Sequence, residues 1–105
     1  MWQTISKFNW QKDHDIDRVS KMVQKLDSTF ANNLSNFVFE LTEDLMKKYQ
    51  NLDLKISDSN FWNLMAEVVG RGKDFYETVN ANVLQSMVDE NYIGENFEYV
   101  FESVD

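Results

Sequence analysis

Apolar residues recur three and four positions apart along almost the whole chain, the spacing that gathers side chains on one face of an α-helix. Trp2, Ile5 and Phe8 predict a short opening helix. Asp13 or Asp15 is placed to cap a second helix, in which Ile16, Val19, Met22, Val23 and Leu26 form one stripe and Arg18, Lys21 and Lys25 lie opposite. A third helix, capped by Ser28, is the longest. Phe30, Leu34, Phe37, Val38, Leu41, Leu45 and Tyr49 hold the rhythm through it for about five turns.

Between Gln50 and Ser57 the rhythm changes. Leu52, Leu54 and Ile56 alternate with Asp53 and Lys55, which suits a short extended segment at 51–56 lying across the core. Ser57 or Asp58 then caps a fourth helix with Phe61 and Trp62 in its first turn and Leu64, Met65, Val68 and Val69 beyond. Gly70 and Gly72 end it, because glycine tolerates the left-handed backbone that closes a helix. A fifth helix carries Phe75, Tyr76 and Val79 and bends near residues 80–82 before Leu84, Met87 and Val88. Gly94 separates a last helix whose Phe97, Val100, Phe101 and Val104 share one side. No repeat, low-complexity tract or linker divides the chain. The expectation is an all-α fold, a compact bundle of about five to six helices forming a single domain over residues 1–105.

Composition supports a folded chain. Hydrophobic residues make up 43% and aromatics 14%, proline is absent, and bulky apolar side chains supply the burial that offsets chain entropy. There is no cysteine, so disulfides, thiol nucleophiles and cysteine-based metal sites are excluded, and a reducing location fits. The opening MWQTISKFNWQKDHD lacks the apolar run of a signal peptide, and nowhere do about eighteen apolar residues follow one another. These features read as a complete, cytoplasmic chain with no membrane partner.

Charge changes the picture more. All ten lysines and arginines lie at or before Lys73, where they balance the first ten of the 18 acidic residues. From Asp74 onward there are eight acids and no lysine or arginine, so the whole net charge of −8 belongs to the last third. A one-sign region speeds encounter with a cationic partner and repels DNA, RNA and anionic lipid. The plainer use of such acids is to keep a small domain soluble.

A P-loop needs glycine five positions before its Gly-Lys pair and a hydroxyl after it, but Gly72-Lys73 has Glu67 and Asp74 there, carboxylates that would repel phosphate. A dinucleotide fingerprint fails as well, with Phe75 where its third glycine belongs. Asp13, Asp15 and Asp17 alternate as in a calcium loop, yet Arg18 replaces the turn glycine and Gln24 the bidentate glutamate. His14, the single histidine, has no second histidine at helical spacing to build a zinc site and reads as a solvated surface residue. Glu40 with Glu43 or Asp44, and Glu95 with Glu98 and Glu102, share helix faces as paired acids for catalysis would, and read instead as solvated surfaces. No catalytic, metal or cofactor residue is therefore assigned, and no cofactor is expected.

Four stretches carry a resemblance. MWQTI at the start, SDSNFW at 57–62 with GRGKDFYETV at 70–79, and ENFEYVF at 95–101 are similar to the motifs of the bacterial domain-of-unknown-function family 4240. Ser59 departs from that family's second aspartate, and residues 12–51 match it in helical rhythm alone. The resemblance implies a small, mainly helical cytosolic bacterial domain in which Gly70, Gly72 and Tyr76 form a structural turn. It implies no activity.

Phe61, Trp62, Phe75 and Tyr76 have the helical spacing of core aromatics. In the last helix, by contrast, aromatics are interleaved with acids, the pattern of anchors within a charged rim. Glu90, Glu95, Phe97, Glu98, Tyr99, Phe101 and Glu102 are accordingly the expected partner-binding residues. The expected function is inhibition of a basic protein by occlusion, in the manner of an immunity protein or antitoxin. Two alternatives stand beside it. One is a phage- or plasmid-encoded nucleic-acid mimic that blocks a DNA-binding defence enzyme. The other is a small-ligand-binding protein or enzyme with a pocket near Trp62 and Tyr76 served by Glu67 or His14. A homo-oligomer is compatible with the sequence.

Overall fold

The computed structural model describes residues 1–11, 13–90 and 97–102. Among them lie six α-helices: α1 (Trp2–Phe8), α2 (Ile16–Gln24), α3 (Ser28–Lys48), α4 (Asp58–Gly70), α5 (Lys73–Thr78) and α6 (Ala81–Asp89). Two 3₁₀ turns, Asp13–Asp15 and Phe97–Phe101, complete the described elements, and no strand occurs among these residues. The fold is all-α, one bundle around one core. No helix among the described residues is long and apolar enough to cross a membrane.

α4 is the centre of the bundle. Every residue from Leu64 to Gly70 is buried, as in a helix enclosed on all sides rather than one with a single wet face. α3, α5 and the Phe97–Phe101 turn pack against it. α3 contributes Ala31, Leu34, Val38 and Leu45, together with Thr42, whose buried hydroxyl is satisfied by donating to the Val38 carbonyl at 2.8 Å. Val19 and Val23 of α2 close the core from the side on which the second 3₁₀ turn packs.

The helix starts follow from short polar side chains, with two corrections. Ser57 caps α4 as expected, accepting from the Asn60 amide at 3.1 Å. Asp27, not Ser28, caps α3 by accepting from the Phe30 amide at 3.1 Å. Asp15 precedes α2 in right-handed helical backbone, and its side chain makes no cap there. It accepts instead from the Gln11 amide at 2.8 Å and pairs with Arg18 at 3.2 Å. Arg18 in turn donates to the carbonyls of Phe8 and Asn9 at 2.7 and 2.9 Å, so it ties the end of α1 to α2. The bend expected at residues 80–82 is a full break, because Asn80 accepts from the Val83 amide at 3.0 Å and starts α6 afresh.

The two glycines of GRGK act differently. Gly72 has φ of 104°, a conformation that side chains rarely adopt, and precedes α5. Gly70 is an ordinary helical residue and the last of α4. A Cβ there would sit 2.7 Å from Phe97 Cγ, so its absence lets the Phe97 ring lie directly on the helix backbone. The stretch is helix punctuation and close packing.

Residues 51–56 are irregular rather than extended. The Asp53 side chain accepts from the Lys55 amide at 2.9 Å, and Lys55 takes φ of 58°, which turns the chain after Leu54. Leu54 is buried and its alternating partners Leu52 and Ile56 are half-buried. The last helix is also corrected: Phe97–Phe101 forms a 3₁₀ turn, while the expected Gly94 break and Val104 lie outside the described residues.

Candidate protein-interaction face

The 3₁₀ turn decides which expected contact residues face outward. With three residues per turn, Phe97 and Val100 fall on the same side, and both are fully buried. The Phe97 ring lies 5.3 Å from that of Trp10, 5.8 Å from Phe101 and 6.2 Å from Phe8. Phe101 is buried too. Phe97 and Phe101 therefore fasten the turn to the bundle and do not present their rings to a partner. Tyr99 is 40% exposed, Glu90 and Glu102 are exposed, and Glu98 is half-buried. Glu95 lies outside the described residues.

Two of the surrounding acids, Asp89 and Glu90, are placed against the interest of α6. Asp89 ends α6 and Glu90 follows it, with no basic residue in the last turn. Carboxylates at a helix C-terminus oppose the negative end of its dipole. Asp89 accepts from the Gln85 side chain at 3.1 Å, and Glu77 pairs with Lys73 at 3.8 Å where both are mostly exposed. Among the described residues, Asp74, Asp89, Glu90 and Glu102 have no lysine or arginine within ion-pair distance.

A feature that the helical rhythm passed over adjoins Glu98. Phe39 stands one residue beyond the core-facing Val38, is 48% exposed, and stacks on Trp62 at 5.1 Å with the rings tilted by 53°. The Trp62 indole donates to the Glu98 carboxylate. Burial raises the Glu98 pKa above its ordinary value, and the Trp62 hydrogen bond offsets part of that rise. Three elements thus meet at a carboxylate and an aromatic pair. The available signal was a large apolar residue, Phe39, standing off the stripe that the rest of α3 obeys.

The chain builds a second carboxylate–indole pair inside. Glu67 on α4 is 2% exposed and accepts from the Trp10 indole at 2.8 Å. Arg71, one turn on, approaches Glu67 at 3.6 Å and lies 5.2 Å over the Phe75 ring. This cluster pins the Asn9–Asp15 segment to the central helix and leaves Glu67 enclosed. His14 is largely exposed. Tyr76 packs on Trp2 at 5.3 Å, and its pKa is raised by burial and then by Asp44. Trp62, Tyr76, Glu67 and His14 each therefore have a setting of their own. Of the alternating acids, Asp15 accepts from the Gln11 amide and pairs with Arg18. Among the described residues no three acidic or histidine side chains converge as a metal site. A surface concavity of about 320 Å³ is formed by residues 50–56 with Asp58 and Phe61, and one of about 280 Å³ lies between Trp2 and the 71–74 turn.

No family model, curated protein or solved structure matches the chain, so the likeness to family 4240 rests on the short motifs alone.

Proposed function

We propose that the protein acts by binding, covering a basic surface on another protein and thereby blocking it, as an immunity protein or antitoxin does. The contact face is the acidic C-terminal third, with Glu90, Glu98, Tyr99 and Glu102 on it and Glu95 assigned to it by sequence. One observation carries this reading: Asp89, Glu90 and Glu102 are exposed, meet no lysine or arginine of the described chain, and two of them sit where a helix dipole disfavours them. Acids kept at a cost to local stability are explained by what they meet outside. Negative potential of one sign also steers a cationic surface into place and makes the complex salt-sensitive.

The test is capture from native lysate at low and at raised salt, by the wild-type chain and by the Glu90→Lys/Glu102→Lys variant. The reading expects a stoichiometric basic protein that elutes with salt and is lost from the variant. A partner held equally by both chains at raised salt contradicts it.

A further inference from the structure

We propose that the hollow between α1 and the 71–74 turn binds a free aromatic amino acid as its zwitterion, with the ammonium on Asp74, the carboxylate on Lys73 and the ring against Trp2. The hollow, of about 280 Å³, is lined by Trp2, Gln3 and Ser6 of α1 and by residues 71–74. Its size, at the lower edge of ordinary small-molecule pockets, suits one amino acid rather than a nucleotide or a chain segment.

The two walls carry different chemistry. On one side Trp2 is half-buried and braced by Phe37 at 5.5 Å and Tyr76 at 5.3 Å, which fixes its ring as an apolar surface. On the other, Lys73 and Asp74 are adjacent, exposed and of opposite charge. Lys73 pairs with Glu77 at 3.8 Å, but both side chains are 57% exposed, so the pair is worth little and a ligand carboxylate can displace it. Asp74 has no lysine or arginine within ion-pair distance among the described residues. Arg71, held beside Glu67 at 3.6 Å and over the Phe75 ring at 5.2 Å, adds a fixed guanidinium to the lining. Gly72 leaves the turn open, since a Cβ there would meet no atom within 4 Å.

This charge set selects the ligand. A phosphate would be opposed by Asp74, and a simple amine by Lys73 and Arg71. A zwitterion answers both signs, while Gln3 and Ser6 offer an amide and a hydroxyl to its polar end. The indole wall then favours a planar side chain. None of Glu90, Glu98, Tyr99 and Glu102 lines the hollow, so this site and the acidic face stand or fall separately.

The experiment titrates L-phenylalanine into the isotope-labelled chain and follows its backbone amides by nuclear magnetic resonance. L-Phenylalaninamide, which lacks the carboxylate, and N-acetyl-L-phenylalanine, which lacks the ammonium, are titrated in parallel. Saturable shifts are expected at Gln3, Ser6, Gly72 and Lys73. Each analogue should bind about tenfold more weakly than the free amino acid, the order of one charge-assisted hydrogen bond. Lys73→Gln and Asp74→Asn, both at exposed positions, should each weaken phenylalanine binding about tenfold. Lys73→Gln should not weaken phenylalaninamide, a selectivity that general loosening of the turn would not give. Absence of shifts at about 10 mM phenylalanine, a concentration at which even a weak site fills, would overturn the proposal. So would N-acetylphenylalanine binding as tightly as the free amino acid, because the hollow would then accept the C-terminus of a chain.

Discussion

Trp10 with Glu67 and Trp62 with Glu98 are the same chemical pair in two settings. In each, an indole N–H donates to a carboxylate. The inner pair is enclosed by the core and completed by Arg71, so its charge is spent on holding α4, the Asn9–Asp15 segment and α5 together. The outer pair sits at the surface under a half-exposed phenylalanine, and burial raises the pKa of its carboxylate. What differs is where the carboxylate's charge is directed. An enclosed carboxylate must be answered by the chain itself, because an unanswered charge in the interior costs several kcal/mol. Glu98 is only half-buried, with one of its oxygens shielded from solvent.

The largest expected effect breaks the inner pair. Glu67→Ala removes the acceptor of Trp10 and the counter-charge of Arg71, and is expected to cost about 3–5 kcal/mol in urea unfolding. Glu98→Ala should cost far less, because half-buried groups recover solvation. Equal losses would erase the distinction between the two pairs. Next comes Gly70→Ala, which forces a Cβ to within 2.7 Å of Phe97 and should destabilise by about 1–3 kcal/mol. Pairing it with Phe97→Leu is expected to return part of that loss, and strict additivity would show that the close approach is not the cause.

A smaller effect appears in the pH profile. Because the folded-state pKa of Glu98 lies above its ordinary value of 4.5, the folded chain binds more protons than the unfolded one in the window between the two. Stability from this group is therefore complete below about 4.5 and is lost as pH rises through the raised folded value. Thermal melts across that window should show wild type losing stability relative to Glu98→Gln as pH increases. Parallel profiles would place the Glu98 carboxyl in an unperturbed setting. Smallest is the helix-end effect: Asp89→Lys or Glu90→Lys replaces an opposed charge with a favourable one and should raise stability by about 0.3–1 kcal/mol each.

The fold was largely legible because helical rhythm reports burial, and burial is what the bundle is made of. The α4 stripe, the Ser57 cap and the Gly72 break all follow from local chemistry. Asp27 was missed as a cap because Asp27 and Ser28 are adjacent and equally suited, and only the chain's entry angle chooses between them. Residues 51–56 alternate like a strand, but an Asp53 turn is satisfied locally while a lone strand leaves its backbone unpaired. The site was less legible. Acidic charge could be counted from the sequence, yet the inward turn of Phe97 and Phe101 depends on a 3₁₀ winding and on the missing Cβ at Gly70. The exposed Phe39 and its link through Trp62 to Glu98 join residues far apart in the chain, which no local pattern reports.

The most direct measurement is the melting temperature of the chain carrying Asp89→Lys, Glu90→Lys and Glu102→Lys together. If these carboxylates are held for an outside partner, the variant melts at or above the wild-type temperature and no longer captures the basic protein. A fall comparable to that of Glu67→Ala would mean that they hold the fold itself, and would contradict the account.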